Sequence, residues 1–177
     1  MEAGNKTRKQ NEKWMFSSSV MSSCSTTEQH PSAYIQIATI LKNEHYHGKH
    51  RFSQEKALYL ESVETELTKS QKRNRAHIVD FSIGISKGKS QKIRLVEAKF
   101  DVNDLKNIES KSILAKVKHS NDILISDGFQ IEDGAVVLIN DSLIVQQQKR
   151  WLSQKLISHG HYTVNTIEEF YNDYFQN

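Results

Sequence analysis

Two apolar stretches, HIVDFSIGIS at 77–86 and KIRLVEAKF at 92–100, flank a turn rich in Gly, Lys and Ser. In the first, Val79, Phe81, Ile83 and Ile85 alternate with Ile78, Asp80 and Ser82; in the second, Ile93, Leu95, Glu97 and Lys99 alternate with Val96, Ala98 and Phe100. Period-two alternation on both sides of a short turn specifies a β-hairpin, and apolar residues on both faces place it inside a sheet covered from both sides. Whatever the rest of the chain does, it must wrap this pair of strands. Yet the inner end of the pair is charged. Glu97 and Lys99 project side by side, and Asp80 on the neighbouring strand can join their face. A buried ion pair often costs more in desolvation than it returns, so charge kept at the edge of a core points to chemistry.

The segments around the hairpin read as an α/β domain. Pro31 to Glu44 has apolar residues at helical spacing (Tyr34, Ile37, Ala38, Ile40, Leu41), and a second helical register runs from Phe52 to Glu61 through Ala57, Leu58 and Leu60. Val63, Thr65 and Leu67 alternate with Glu64, Glu66 and Thr68 as a short strand would, although Leu60, Val63 and Leu67 also suit a helix face. After the hairpin, Asp101 can cap a helix to about Lys118 with Leu105, Ile108, Ser112 and Ala115 as its apolar stripe. Ile123 to Ile125 and Ala135 to Ile139 read as strands. The chain closes with a helix from Leu143 to Ile157, an extended piece at Tyr162 to Val164, and a helix from Thr166 to Phe175 opened by a Thr166/Glu169 capping box. The order helix, strand, strand, strand, helix, strand predicts a mixed sheet flanked by helices. A length of 177 residues suits one domain over 31–177; residues 1–30, rich in Ser, Thr, Lys and Asn, read as a flexible leader, since the run WMFSSSVMSSC is too serine-rich for a signal peptide.

Composition narrows the partners. The net charge is only +3, but between Lys69 and Arg94 eight basic residues (Lys69, Lys72, Arg73, Arg75, Lys87, Lys89, Lys92, Arg94) face the single acid Asp80. Such a region suits a polyanion bound through its phosphates, and Lys106, Lys111, Lys116 and Lys118 could extend it. Cys24 is the only cysteine, which excludes an internal disulfide and a cysteine zinc site and points to a reducing, cytoplasmic setting without membrane insertion. His45, His47 and His50, like His159 and His161, lack a carboxylate or cysteine at a metal-binding spacing and read as loop residues.

Two carboxylates converging across a strand pair are hard oxygen ligands of the kind Mg²⁺ takes, with water and phosphate completing the shell. A neighbouring lysine can steady the charge that develops at phosphorus. Asp80 in a Val-Asp-Phe strand followed by Glu97-Ala98-Lys99 in the next resembles the PD-(D/E)XK nuclease superfamily over roughly half of the chain, from about Phe52 to Ile139. The resemblance implies a restriction endonuclease-like core and a metal-dependent nuclease acting on nucleic acid, DNA first and RNA not excluded. It further implies Asp80 and Glu97 as ligands of Mg²⁺, replaceable by Mn²⁺, the Ala98 carbonyl as a further ligand, and Lys99 as the catalytic lysine. Many members add a glutamate on the helix before the three strands; Glu55 is the choice here, with Glu61 and Glu64 as rivals. Val79 stands where the family's motif has proline.

Glu-x-Lys triplets are common, and Glu109-Ser110-Lys111 and Asp104-Leu105-Lys106 serve as controls: both lie in polar, helical sequence where solvated charge needs no explanation. The alternatives to a nuclease are a protein of the same fold that binds nucleic acid without cutting it, and an assembly subunit. A duplex substrate would suit a homodimer or a partner protein.

Overall fold

The computed structural model describes residues 13–124, 128–141 and 145–176. Its frame is a mixed seven-stranded sheet in the order β2-β3-β4-β5-β6-β7, formed by Tyr34–Gln36 (β2), Lys56–Tyr59 (β3), Phe81–Lys87 (β4), Ser90–Lys99 (β5), Gln130–Ile139 (β6) and Thr163–Asn165 (β7); Met15–Phe16 (β1) pairs with the far half of β4. β2 through β5 run antiparallel, whereas β5, β6 and β7 are mutually parallel. Helices cover both faces. Ser18–Ser22 (α1), Leu60–Gln71 (α4), Ser110–Ile123 (α5) and Val145–Ile157 (α6) pack against Leu58, Ile93, Leu95 and Val137; Ile37–Asn43 (α3) and Ile167–Tyr174 (α7) pack against Phe81, Ile83, Val96 and Leu138. A short helix, Ser25–Gln29 (α2), follows α1.

The hairpin forms as expected, with Phe81 opposite Val96 and Lys87 opposite Ser90, and its two faces enter two separate cores. β4 is shorter than the expected strand. Residues 77–80 run beside α5 instead, where the Val79 amide donates to the Ser120 hydroxyl (2.9 Å), and Ile78 and Val79 both enter the α5-side core. The final helix carries the expected capping box, Thr166 with Glu169.

Several expectations fail for physical reasons. The segment Phe52 to Glu61 is not a helix: Lys56–Tyr59 is a strand whose Ala57 and Leu58 are buried on opposite faces, so no alternation was visible. Val63 to Thr68 is helical, and the buried Glu64 disguised the inward stripe of Leu60, Val63 and Leu67. Pro31 to Glu44 divides into a turn of 3₁₀ helix, β2 and α3, because β3 takes Tyr34–Gln36 as its partner. On α5 the buried stripe is Ile113, Val117 and Ser120, while Ser112 and Ala115 are exposed. Ile123 ends α5 rather than starting a strand; Ile125, Leu143 and Ile144 lie outside the described residues.

The leader expectation is corrected over 13–30, residues 1–12 lying outside the described residues. Val20, Met21 and Cys24 are fully buried, and β1 completes the edge of β4 beyond β3. Gly84 makes this possible: a Cβ there would collide with the Ser17 carbonyl and Val20, so only glycine lets α1 lie this close to the sheet. No helix among the described residues is long and apolar enough to cross a membrane.

Candidate active site

The charged cluster sits where β4 begins and β5 ends. Extending the register of the hairpin by one residue sets Asp80 directly opposite Glu97, on the face that carries Ile93 and Leu95 and meets α5. Asp80 is held from three sides. Its Oδ2 accepts from the Ala98 amide at 2.5 Å, its carbonyl accepts from the Leu60 amide at 2.8 Å and so caps the start of α4, and the Ser120 contact fixes the preceding residue. Both carboxylates are buried, Glu97 completely.

Like charges directly opposite one another destabilise a sheet, and here two lysines intervene. Glu97 Oε1 takes Lys99 Nζ at 2.6 Å and Lys116 Nζ at 2.7 Å, the latter reaching in from α5. Glu97 Oε2 is buried with no hydrogen-bond partner among the described residues. Burial, then the Glu97 and Glu44 charges, push the Asp80 carboxyl well above the usual range, against the Ala98 amide and Lys116. At Lys116 burial favours the neutral form, but the charge and hydrogen bond of Glu97, with Asp80 and Glu44, hold the ammonium pKa above its ordinary value.

Lys99, its side chain 23% exposed, lines a cavity of about 240 Å³ with Val102, Asn107, Glu109 and Ser112. Of the sequence-derived residues, Asp80, Glu97 and Lys99 come together. Glu55 does not: it precedes β3 at the end remote from Asp80, about 16 Å along the strand, and its carboxylate accepts from the Ser53 and Gln54 amides. Its rivals are also engaged, Glu61 with Arg75 and the buried Glu64 with Arg73 and the Ala76 amide.

Two residues complete the cluster that sequence reasoning passed over. Glu44, at the C-cap of α3, accepts from the Tyr59 hydroxyl at 2.7 Å, and its charge is felt by Asp80 and Lys116. With burial it raises the Tyr59 hydroxyl pKa. Lys116, which the sequence offers as an extension of a basic surface, points inward to Glu97. Its place beside Ile113, Val117 and Ser120, on the flank of the buried stripe, was the signal available.

The basic stretch disperses on folding. Arg94 is fully buried beside Glu132, Arg73 and Arg75 pair with glutamates, and Lys87 and Lys89 lie at the hairpin turn, the end remote from Asp80. Arg75 keeps an electrostatic link to the neighbourhood of the cluster, through Tyr59.

Among the described residues no group of three or more His, Cys, Asp or Glu side chains is arranged to hold a metal. A Mg²⁺ site asks less of the protein: one or two carboxylates, the remainder being water and substrate oxygen. Asp80 facing Glu97, with one Glu97 oxygen unpartnered, fits that requirement. No protein-family model, curated protein or solved structure matches the chain.

Proposed function

We propose that this protein is a divalent-metal-dependent nuclease that hydrolyses phosphodiester bonds in DNA at the Asp80, Glu97 and Lys99 cluster. The observation that carries the reading is the pair of opposed buried carboxylates with an unpartnered oxygen, beside a lysine ammonium that also lines a cavity. The order of elements adds support. A helix (α3), three antiparallel strands (β3, β4, β5), a helix (α5) and a parallel strand (β6) follow the sequence of the PD-(D/E)XK core, with α4 inserted between the first two strands.

Asp80 and Glu97 would hold Mg²⁺ or Mn²⁺, which when bound neutralises phosphate charge and acidifies a coordinated water. The chain's own groups set the geometry. The Ala98 amide orients Asp80, Lys116 holds Glu97 from the protein side, and Lys99 presents its ammonium beside Glu97, where a non-bridging phosphate oxygen can accept from it. Glu44 adds a third carboxylate whose charge Asp80 and Lys116 both feel, so the cluster favours a cation as its occupant.

The test is cleavage of supercoiled, linear and branched DNA in Mg²⁺, Mn²⁺ or EDTA, beside Asp80→Asn and Lys99→Ala variants confirmed to be folded by circular dichroism. Metal-dependent cleavage that falls by about 10³-fold or more in both variants is expected, a loss of roughly 4 kcal/mol of transition-state stabilisation. Wild-type protein that binds these DNAs and cuts none of them would overturn the reading in favour of a non-catalytic binder.

A further inference from the structure

Residues 45–51, HYHGKHR, follow Glu44 directly and contain no acid. Tyr46 is the half-buried member; the others are exposed. The segment is nonetheless built. The Tyr46 amide donates to the Leu41 carbonyl (2.9 Å), its ring lies 4.8 Å from that of Phe100, and its hydroxyl donates to the Lys49 carbonyl (3.1 Å). Gly48 lies under that ring, where a Cβ would overlap the phenol. At the other end, Arg51 stacks 4.4 Å over Tyr171 and donates to Asn172 Oδ1 (2.5 Å), and Phe52 enters the aromatic cluster of Phe170, Tyr171 and Phe175.

The first anchor lies at the end of the sheet that carries the cluster: Phe100 is the residue after Lys99, and the charge of Glu44, next to the loop, is felt by Asp80, so the loop flanks that end of the sheet from the α3 and α7 side. Lys49, His50 and Arg51 line a hollow of about 370 Å³ closed by Ile167, Tyr171 and one carboxylate, Glu168. Since the basic stretch 69–94 disperses on folding, these side chains offer a basic surface at this end of the sheet that carbon packing holds in place.

We propose that residues 45–51 are the rim that grips the phosphodiester backbone of the DNA entering the Asp80 and Glu97 site, an inference that rests on the nuclease reading. Contacts of this kind position a strand without reading its sequence, and a loop fixed by Tyr46 loses little entropy on binding.

The test measures duplex DNA binding by fluorescence anisotropy over a series of salt concentrations in EDTA, and steady-state cleavage in Mg²⁺, for the full chain. Lys49→Ala with His50→Ala should weaken binding about tenfold, reduce the slope of log K against log salt by about 1, and raise KM with kcat little changed. Gly48→Ala, which displaces Tyr46 without removing charge, should weaken binding as well. Lys87→Ala with Lys89→Ala at the remote turn should match wild type. Loop variants with wild-type affinity and salt slope, in a protein that still cuts DNA, would overturn the rim and leave the nuclease reading intact. Loop-dependent binding by a wild type that cuts no DNA would support the rim and remove the nuclease; no DNA binding by wild type would overturn the rim as well.

Discussion

Arg94 and Glu97 stand three residues apart on β5, on opposite faces, and each anchors a buried group of charges. On the α7 side the Glu132 carboxylate has Arg94 at 3.2 Å, Lys92 at 3.9 Å and His161 Nδ1 at 2.9 Å, so one acid is surrounded by basic groups. On the α5 side Asp80 and Glu97, with the charge of Glu44 felt from the end of α3, answer to two lysines, and one of those lines a cavity. The first group has a surplus of positive charge around one carboxylate, and the buried Arg94 nitrogens meet Glu132 as an ion pair without a hydrogen bond. The second is short of positive charge and open at one end. A strand can therefore carry buried charge for two reasons within 10 Å of its length, and the balance of signs distinguishes them.

Mutation at the two sites should give opposite ledgers. Glu132→Ala leaves Arg94 buried and unpaired and should lower stability by about 3–5 kcal/mol in urea unfolding, with cleavage per folded molecule unchanged. Asp80→Asn, which removes a carboxylate from an acid-rich site, should leave stability at or above wild type. A Glu132→Ala protein as stable as wild type would break the contrast. A smaller effect sharpens the membership of the open group: Glu44→Gln should slow DNA cleavage by about 10–100-fold, whereas Glu55→Gln should cleave at the wild-type rate.

The smallest effect is in the pH dependence of stability, measured in EDTA. Asp80 is raised, by burial first and Glu97 second, so the native protein holds its proton to higher pH than the unfolded chain. Stability should fall as pH rises from about 3.9 toward the native value, by at most about 1.4 kcal/mol per pH unit, and Asp80→Asn should flatten that limb. Glu64 behaves oppositely. Its Arg73 partner, more than the Ala76 amide, holds it below the usual range, so its contribution is present at neutral pH and lost as pH falls below about 4.3; Glu64→Gln removes that acid limb.

How much of this was legible depended on whether a residue's partners are near in sequence. Asp80, Glu97 and Lys99 lie on one hairpin, so alternation and a short turn were enough to set them on one face. The capping box of Thr166 and Glu169 spans three residues and was equally readable. Glu44 and Lys116 join the same cluster through the packing of α3 and α5, and no local period carries that information. Glu64 misled for a related reason: its neutralising Arg73 lies nine residues away, past the end of the helix, so a core position looked like surface. Residues 13–24 were misread because serine-rich sequence can still supply Val20, Met21 and Cys24 to a core when Gly84 makes room.

The aromatic stack of Phe16 on Phe175, beside the bond from Lys13 to the Asn172 carbonyl, spans 159 residues. At a synthesis rate of about 5–20 residues per second, the first ring waits roughly 8–32 seconds on the ribosome before the second exists. The strand it belongs to has its own place on β4 much sooner. Closing that seam has to wait until Phe175 has been made, and until then Phe16 is a surface that a chaperone could hold.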